Sequence, residues 1–509
     1  MLRLSALTLA LLPLIALADG SAGNPETLTE RSNAKAREVL DATVAAMGGA
    51  AAIQGVTSVR LTLEGETWPR LQMTTPQAPF QSGHSKETLL LDLSGSRLRL
   101  ETANSGAGFE GHNTVVLKRG EGTNYDHRAR VATAVPAAQA SQQQFVQYQR
   151  RLPNLILRQA LERGTSLRYL GEDVLDGAPH EVVTFVMPDT QQVAVYVDAK
   201  TRLVSKYELA FTDPLAGEEA SEVLFGDYVD SGGIKVPKRW EFRQAGETAS
   251  RFAARVEINP AVDDAAFEVA ADGYAKAQAV ASELPQRVEQ LGEGIYVIQN
   301  VAGQNQNTLA IAFKDFVLAV EAPGSSAGAD RVIQRIKETL PGKPIRYLAM
   351  THHHGDHIGG LRSFIAEGAT VVTTPGNRAV VETMAKAPQN DRLAKSPRAQ
   401  EFLFVEKGRR VVSDGDRSVE FIDVGPHPHA REMLIAYLPK ERLLFQGDLF
   451  AMPNNDAPPG PPQESSRAFA RFLAERKLKV DRIASVHGRT VTIEEFVQAA
   501  APGEKAASR

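Results

Sequence analysis

Polar and apolar residues repeat along the chain with two periods, and the change between them divides it into regions. In residues 33–47, NAKAREVLDATVAAM, the apolar positions Ala36, Val39, Leu40, Val44 and Met47 recur every three or four residues. That spacing predicts an amphipathic helix, ended by Gly48 and Gly49. From there to residue 270 the period falls to two. VTSVRLTLEGETW, SRLRLET, HEVVTFVM, QVAVYVDAKTRLVSKYELAF and IKVPKRWEFR read as half-buried antiparallel strands, with turns at 198–201 and 231–233. A helical stretch, NLILRQALERG from Asn154 to Gly164, interrupts them. Residues 31–270 are therefore expected to form an α+β domain, a curved sheet wrapped over helices.

Residues 271–285 are small and polar without a clear period and read as a linker. Beyond them strands and helices alternate. GIYVIQN gives one strand, and NTLAIAFKDFVLAVEAP gives two, joined at Lys314 and Asp315. GADRVIQRIKETL sets Val332, Ile333, Ile336 and Leu340 on one helical face, and IRYLAM is a short buried strand. Residues 286–505 are expected to form a layered domain of strands and helices.

A length of 509 residues fits two cores better than one. The formal net charge of -4, without a long Lys/Arg cluster, gives no support for a nucleic-acid partner. There is no cysteine, which excludes disulfides, thiolate metal ligands and a lipid-modified cysteine. Residues 1–18 read as a signal peptide: Arg3 is followed by the apolar stretch Leu4 to Leu17 and the small-x-small sequence Ala16 to Ala18. The stretch is short for a bilayer span and is broken by Pro13. The mature protein is expected to start near Asp19, without a membrane span, in the periplasm or secreted.

Candidate chemistry is concentrated in THHHGDHIGG, residues 351–360, where IRYLAM ends. In extended backbone His352 and His354 project together and His353 oppositely. Asp356 and His357 follow Gly355, which permits a tight turn. A bare run of histidines would read best as a solvated patch. Here further candidates stand at strand ends downstream: His427 and His429 in GPHPH, Asp448 in FQGDLF and His487 in SVHG. Gly324 to Gly328, GSSAG, formally matches a serine-hydrolase elbow. An ordinary small-residue loop is the better reading, because the histidines are better used as metal ligands.

Two resemblances follow. VYVDAKTRLVSKYE and DYVDSGGIKVPKRWEF resemble periplasmic lipoprotein-carrier-type half-barrels, which implies a half-barrel-like N-terminal domain. Its concave face would hold a lipid or be filled by side chains, and the sequence leaves both open. From Gln286 to Ala500 the motif set resembles the metallo-β-lactamase-fold hydrolases, which implies an αββα sandwich. The resemblance assigns His352, His354 and His429 to a first metal, Asp356, His357 and His487 to a second, and Asp448 to a bridge. His429 is preferred because it lies ten residues before Pro439, as the family pattern has it. His427 would then line the pocket mouth or be solvated.

Donors limited to nitrogen and oxygen suit two zinc ions per chain, with iron or manganese as alternatives. A bridging aspartate resembles the glyoxalase and lactonase branches of the family. The expectation is an exported dinuclear zinc hydrolase that uses a metal-bridging hydroxide on a thioester, lactone or carboxylic ester. Asp356 would also orient the nucleophile and move a proton. The substrate is expected to be a small molecule, amphiphilic if the half-barrel takes part. The alternatives are a β-lactamase-type amide hydrolase and a periplasmic lipid carrier with a non-catalytic metal domain. Amino-terminal sequencing of protein from a cell-envelope fraction should start near Asp19; an intact Met1 would contradict the signal peptide.

Overall fold

The computed structural model describes residues 26–135, 142–278, 285–301, 305–406, 408–454 and 457–500. The expected signal peptide, 1–18, lies outside the described residues. The first helix, Leu28–Ala46, starts at a capping box in which the Thr27 side chain accepts from the Glu30 backbone and Glu30 returns a bond to Thr27. It ends before Gly48 and Gly49, whose φ values of 126° and 90° suit glycine. Its buried stripe of Ala36, Val39, Leu40 and Val44 joins Ile156, Leu157 and Ala160 of helix Pro153–Glu162 against strand residues such as Val183, Val195 and Phe225.

The strands from Ser58–Thr67 to Ala275–Ala277 form one 14-stranded sheet, apart from Val229–Ser231 and Ile234–Val236, which pair separately as a hairpin. Ser58–Thr67 lies near its middle, between Gly83–Asp92 and Glu247–Ile258. Pairing is antiparallel except at one edge, where Ala275–Ala277 runs parallel to Val131–Val135. That edge strand falls within the expected linker 271–285, so this part of it belongs to the sheet. So short an edge leaves no hydrophobic period to read; beside its backbone pairing, the Tyr274 hydroxyl lies 3.1 Å from His127 Nδ1. Apolar side chains of alternate residues, among them Leu61, Leu63, Leu89, Leu91 and Leu98, meet Phe145, Leu152 and Leu155 on the helix-bearing face.

The C-terminal part stacks two sheets between helices. Seven strands run from Arg287–Gly292 to Phe402–Phe404, and six from Arg409–Ser413 to Val491–Thr492. Leu309, Ile311, Leu318 and Val320 of the first sheet pack on Phe421, Ala436, Leu443 and Phe445 of the second. The intervening residues Ala310, Val317 and Ala319 face outward onto helices Ser326–Thr339 and Leu361–Glu367. Both faces are thus buried, which is why these strands read as unbroken apolar runs. Helices Glu464–Arg476 and Ile493–Ala500 cover the outer face of the second sheet. The order of layers is αββα.

Among the described residues no helix is long and apolar enough to cross a membrane. Phe421, 1% exposed, fills the space between the two C-terminal sheets. Phe421→Ala should cost about 3–5 kcal/mol through lost contacts and the cavity left behind. Denaturant unfolding followed in the C-terminal part checks this; an unchanged midpoint would show that the sheets do not share this core.

Candidate metal centre

Strand Ile345–Ala349, buried at Ile345, Leu348 and Ala349, delivers Thr351 to the junction between the two C-terminal sheets. There the Leu434 amide donates to the Thr351 carbonyl at 2.7 Å. His354 then serves as the N-cap of a short helix, Gly355–Ile358, so that Asp356 and His357 lie one turn beyond the extended histidines. Asp448 follows strand Leu443–Gln446 through Gly447. A Cβ at Gly447 would lie 3.1 Å from His352 Nδ1, so a side chain there would press on that imidazole.

The seven residues marked in the sequence converge. Ligand atoms of His352, His354, His429 and Asp448 all lie within 4.8 Å of one another, and so do those of Asp356, His357, Asp448 and His487. His352 Nε2 is 3.1 Å from His429 Nε2, and Asp448 Oδ2 is 3.4 Å from that same nitrogen. In the second group, His487 Nε2 is 3.0 Å from Asp356 Oδ2, and His357 Nε2 is 3.1 Å from Asp448 Oδ1. Asp448 belongs to both groups. His353 is buried but belongs to neither.

The outward-facing ring nitrogens fix how the imidazoles present themselves. His354 Nε2 donates to the Met73 carbonyl at 2.9 Å, His429 Nδ1 to Ala107 at 3.0 Å, and His487 Nδ1 to Asn305 at 2.8 Å. A carbonyl only accepts, so each of these nitrogens carries the proton and the opposite one faces the cluster. His357 Nδ1 lies 3.0 Å from Glu321 Oε2, while Glu321 Oε1 accepts from the Thr351 amide at 2.6 Å. Glu321 is fully buried and adopts a left-handed φ of 75°, an uncommon conformation for a side-chain-bearing residue.

The N-terminal sheet reaches this cluster through two loops. Gln72 Nε2 donates to Asp356 Oδ1 at 2.6 Å, and the Gly355 and Arg431 amides donate to Leu71 and Thr74 carbonyls, each at 2.8 Å. The Phe109 ring meets His429 edge-on at 5.0 Å between centroids. Leu71 and Ala107 both have positive φ, 53° and 47°, so each loop turns sharply where it touches the site.

Burial and neighbouring imidazoles hold His352 and His354 well below the ordinary histidine pKa, which leaves both neutral. Burial opposes ionisation of Asp448, but the adjacent His357 outweighs it and keeps the carboxyl well below its usual range. Asp356 is likewise lowered against burial by its hydrogen bond to His487 and the charge of His357. Burial also opposes charging of His357, yet Asp448 and Glu321 raise it well above the ordinary value. His487 is raised against burial by Asp356.

His427 differs from expectation. It is buried, its Nε2 donates to the Ser465 carbonyl at 3.1 Å, and its Nδ1 accepts from the His429 amide at 3.2 Å. With both nitrogens engaged it braces the loop that carries His429. Desolvation lowers its pKa to about 4. The GSSAG segment serves structure: Ser325 caps helix Ser326–Thr339, and Ser326 donates to Asp391, which is already paired with Arg362.

Residues 323–487 match the model of the metallo-beta-lactamase superfamily. The C-terminal domain belongs to that superfamily. Among solved structures, the metallo-beta-lactamase FIM-1 from Pseudomonas aeruginosa in its mono-zinc form is similar at 19% identity, with 45% of this chain and 98% of that one covered and a TM-score of 0.34. The metallo-beta-lactamase from Pontibacter korlensis is similar at 17% identity, with coverages of 42% and 95% and a TM-score of 0.33. The sec-alkylsulfatase Pisa1 from Pseudomonas sp. is similar at 16% identity, covering 41% of this chain and 39% of its own, with a TM-score of 0.32. No curated protein sequence matches. The superfamily domain is a hydrolase of metallo-β-lactamase fold.

Gln72, Met73, Ala107, Asn305 and Glu321 were not marked in the sequence. Three of them act through backbone carbonyls, which have no sequence signature. Glu321 had one: a carboxylate directly after the fully apolar strand Val317–Val320.

His429→Ala should lose one equivalent of zinc on equilibrium dialysis, while His427→Ala keeps the full complement. The reverse result would exchange the two roles. Gln72→Ala should retain both equivalents but hold one about tenfold more weakly, the usual effect of removing an outer hydrogen bond to a metal ligand.

Proposed function

We propose that the protein is an exported dinuclear zinc hydrolase acting on an ester-type bond: a thioester, lactone or carboxylic ester. The observation that carries this reading is the membership of Asp448 in both ligand groups, which suits a carboxylate that brings two cations together. The donors also fit the ions chemically. Buried His354 Nδ1, His357 Nε2 and Asp448 Oδ1 have no hydrogen-bond partner, although the last two lie close together. His352 and His354, held neutral, and the ionised carboxylates of Asp356 and Asp448 are already in the deprotonated form that zinc requires, whereas His357 and His487 would give up a proton to a bound ion. In this reading His352, His354 and His429 hold one ion, Asp356, His357 and His487 the other, and Asp448 bridges them.

Bound ions supply Lewis acidity, polarising a substrate carbonyl and lowering the pKa of water at the site. The chain's own contribution is orientation. Gln72 donates to Asp356 Oδ1 at 2.6 Å, which fixes the attitude of this carboxylate for directing a water and taking up its proton. Met73 and Ala107 prevent ring flips of His354 and His429. Residues 286–505 are the hydrolase domain in this reading, residues 31–270 wall its cavity on the substrate side, and 271–285 join them. Export rests on the signal-peptide pattern of residues 1–18.

Asp448→Ala should lower bound zinc from two equivalents towards one and reduce turnover by at least about a hundredfold. Two retained equivalents with full activity would remove the bridge. A screen of the zinc-loaded mature protein against lactones, thioesters, aryl esters, phosphodiesters and β-lactams should find activity among the ester-type substrates. Activity confined to β-lactams would overturn the proposal.

A further inference from the structure

The candidate metal centre opens into a cavity of about 1030 Å³ that is walled largely by the N-terminal sheet. A second cavity, of about 580 Å³, lies within the N-terminal part, and Thr67, Pro69 and Asn104 border both. Side-chain alternation shows that these cavities open on one face of the sheet. Leu61 and Leu63 point into the core under the helices, so Gly65 and Thr67 share their face. Ser85 shares the face of Leu89 and Leu91, and Asn104 that of Leu98 and Leu100.

The register turns this into one continuous row. Trp240 pairs with Phe252, Phe252 with Gly65, Gly65 with Ser85, Ser85 with Asn104, and Asn104 with Gly111. Residues paired directly across antiparallel strands project to the same side. The row therefore starts among aromatic rings in the second cavity and ends at Asn104 and Gly111 in the wall of the site cavity. Its middle positions, Gly65 and Ser85, are small.

The chemistry of the second cavity restricts its occupant. Trp240 stacks near Phe242 and lies 5.6 Å from the Phe252 ring, and Leu63 and Val223 add aliphatic surface beside them. The bordering charges are paired: Arg151 with Glu87 and Arg150 with Asp189. No unpaired charge there calls for an ionic ligand group.

We propose that this row is the floor of a trough for the acyl chain of the substrate, whose ester-type bond lies at the metal centre. The inference rests on the ester-hydrolase reading above and narrows its substrate to a fatty acyl ester or thioester. Burying an unbranched chain against aromatic and aliphatic side chains supplies binding energy roughly in proportion to its length. Small residues at Gly65 and Ser85, between the aromatic end of the row and Asn104, suit such a chain better than a rigid ring system.

Binding and turnover test separate parts of the proposal. The chain has two tryptophans, Trp68 and Trp240, so Trp68→Phe leaves Trp240 as the only indole. In that variant 9,10-dibromostearate should quench Trp240 fluorescence saturably, and unbrominated stearate should reverse it. Absence of quenching overturns the trough, whatever the enzyme hydrolyses. With acyl thioesters from acetyl to palmitoyl, kcat/KM should rise with chain length, by up to about fourfold for each methylene buried. Ser85→Phe puts a ring in the middle of the row and should reduce the palmitoyl-to-acetyl ratio by about tenfold or more. A flat series, or an unchanged ratio in Ser85→Phe, shows that the trough does not serve the metal centre. Saturable quenching without turnover of any acyl ester would leave the acyl site standing and remove the ester-hydrolase reading.

Discussion

Two hydrogen bonds from imidazoles to backbone carbonyls join the halves of this protein where the chemistry is concentrated. His354 and His429 come from the hydrolase domain, but the groups that set their tautomers, Met73 O and Ala107 O, come from the N-terminal sheet. Without these acceptors each ring could turn or present the wrong nitrogen, and a lone pair aimed at a common point would be lost. The strand pairing that positions residues 68–82 and 106–109 is therefore also a condition on the cluster some 280 to 320 positions later in the chain.

This dependence gives the oversized N-terminal sheet a role that its fold alone does not suggest. Its strand tips supply the wall of the site cavity, Gln72 steadies Asp356, and the Phe109 ring covers an edge of His429. The left-handed backbones of Leu71 and Ala107 show the cost of bringing two loops so close. Their bonds to Gly355 and His429 hold that geometry in place.

The side chains of the cluster were legible in the sequence because they are rare residues at strand ends, spaced as extended backbone requires. The layered order of the hydrolase domain was legible too, since strands buried on both faces leave unbroken apolar runs such as TLAIA and VLAV. Carbonyl acceptors were illegible, since every residue carries one. His427 was expected at the pocket mouth or in solvent, but its ring is buried and donates to the Ser465 carbonyl on helix Glu464–Arg476. The edge strand Ala275–Ala277 left no period to detect, because it is so short. Cross-strand rows such as the one from Trp240 to Gly111 depend on register, which single strands do not reveal.

Sequence separation gives the carbonyl–imidazole bonds a kinetic meaning. Met73 and His354 lie 281 positions apart, and Ala107 and His429 lie 322 apart. Contacts this distant close late, after the entropy of ordering the intervening chain has been overcome locally by each core. The contacts that set the tautomers of His354 and His429 thus require both parts of the polypeptide to have folded. Completing the centre is then a matter of docking one part of the chain on the other, besides folding the histidine-bearing segment itself.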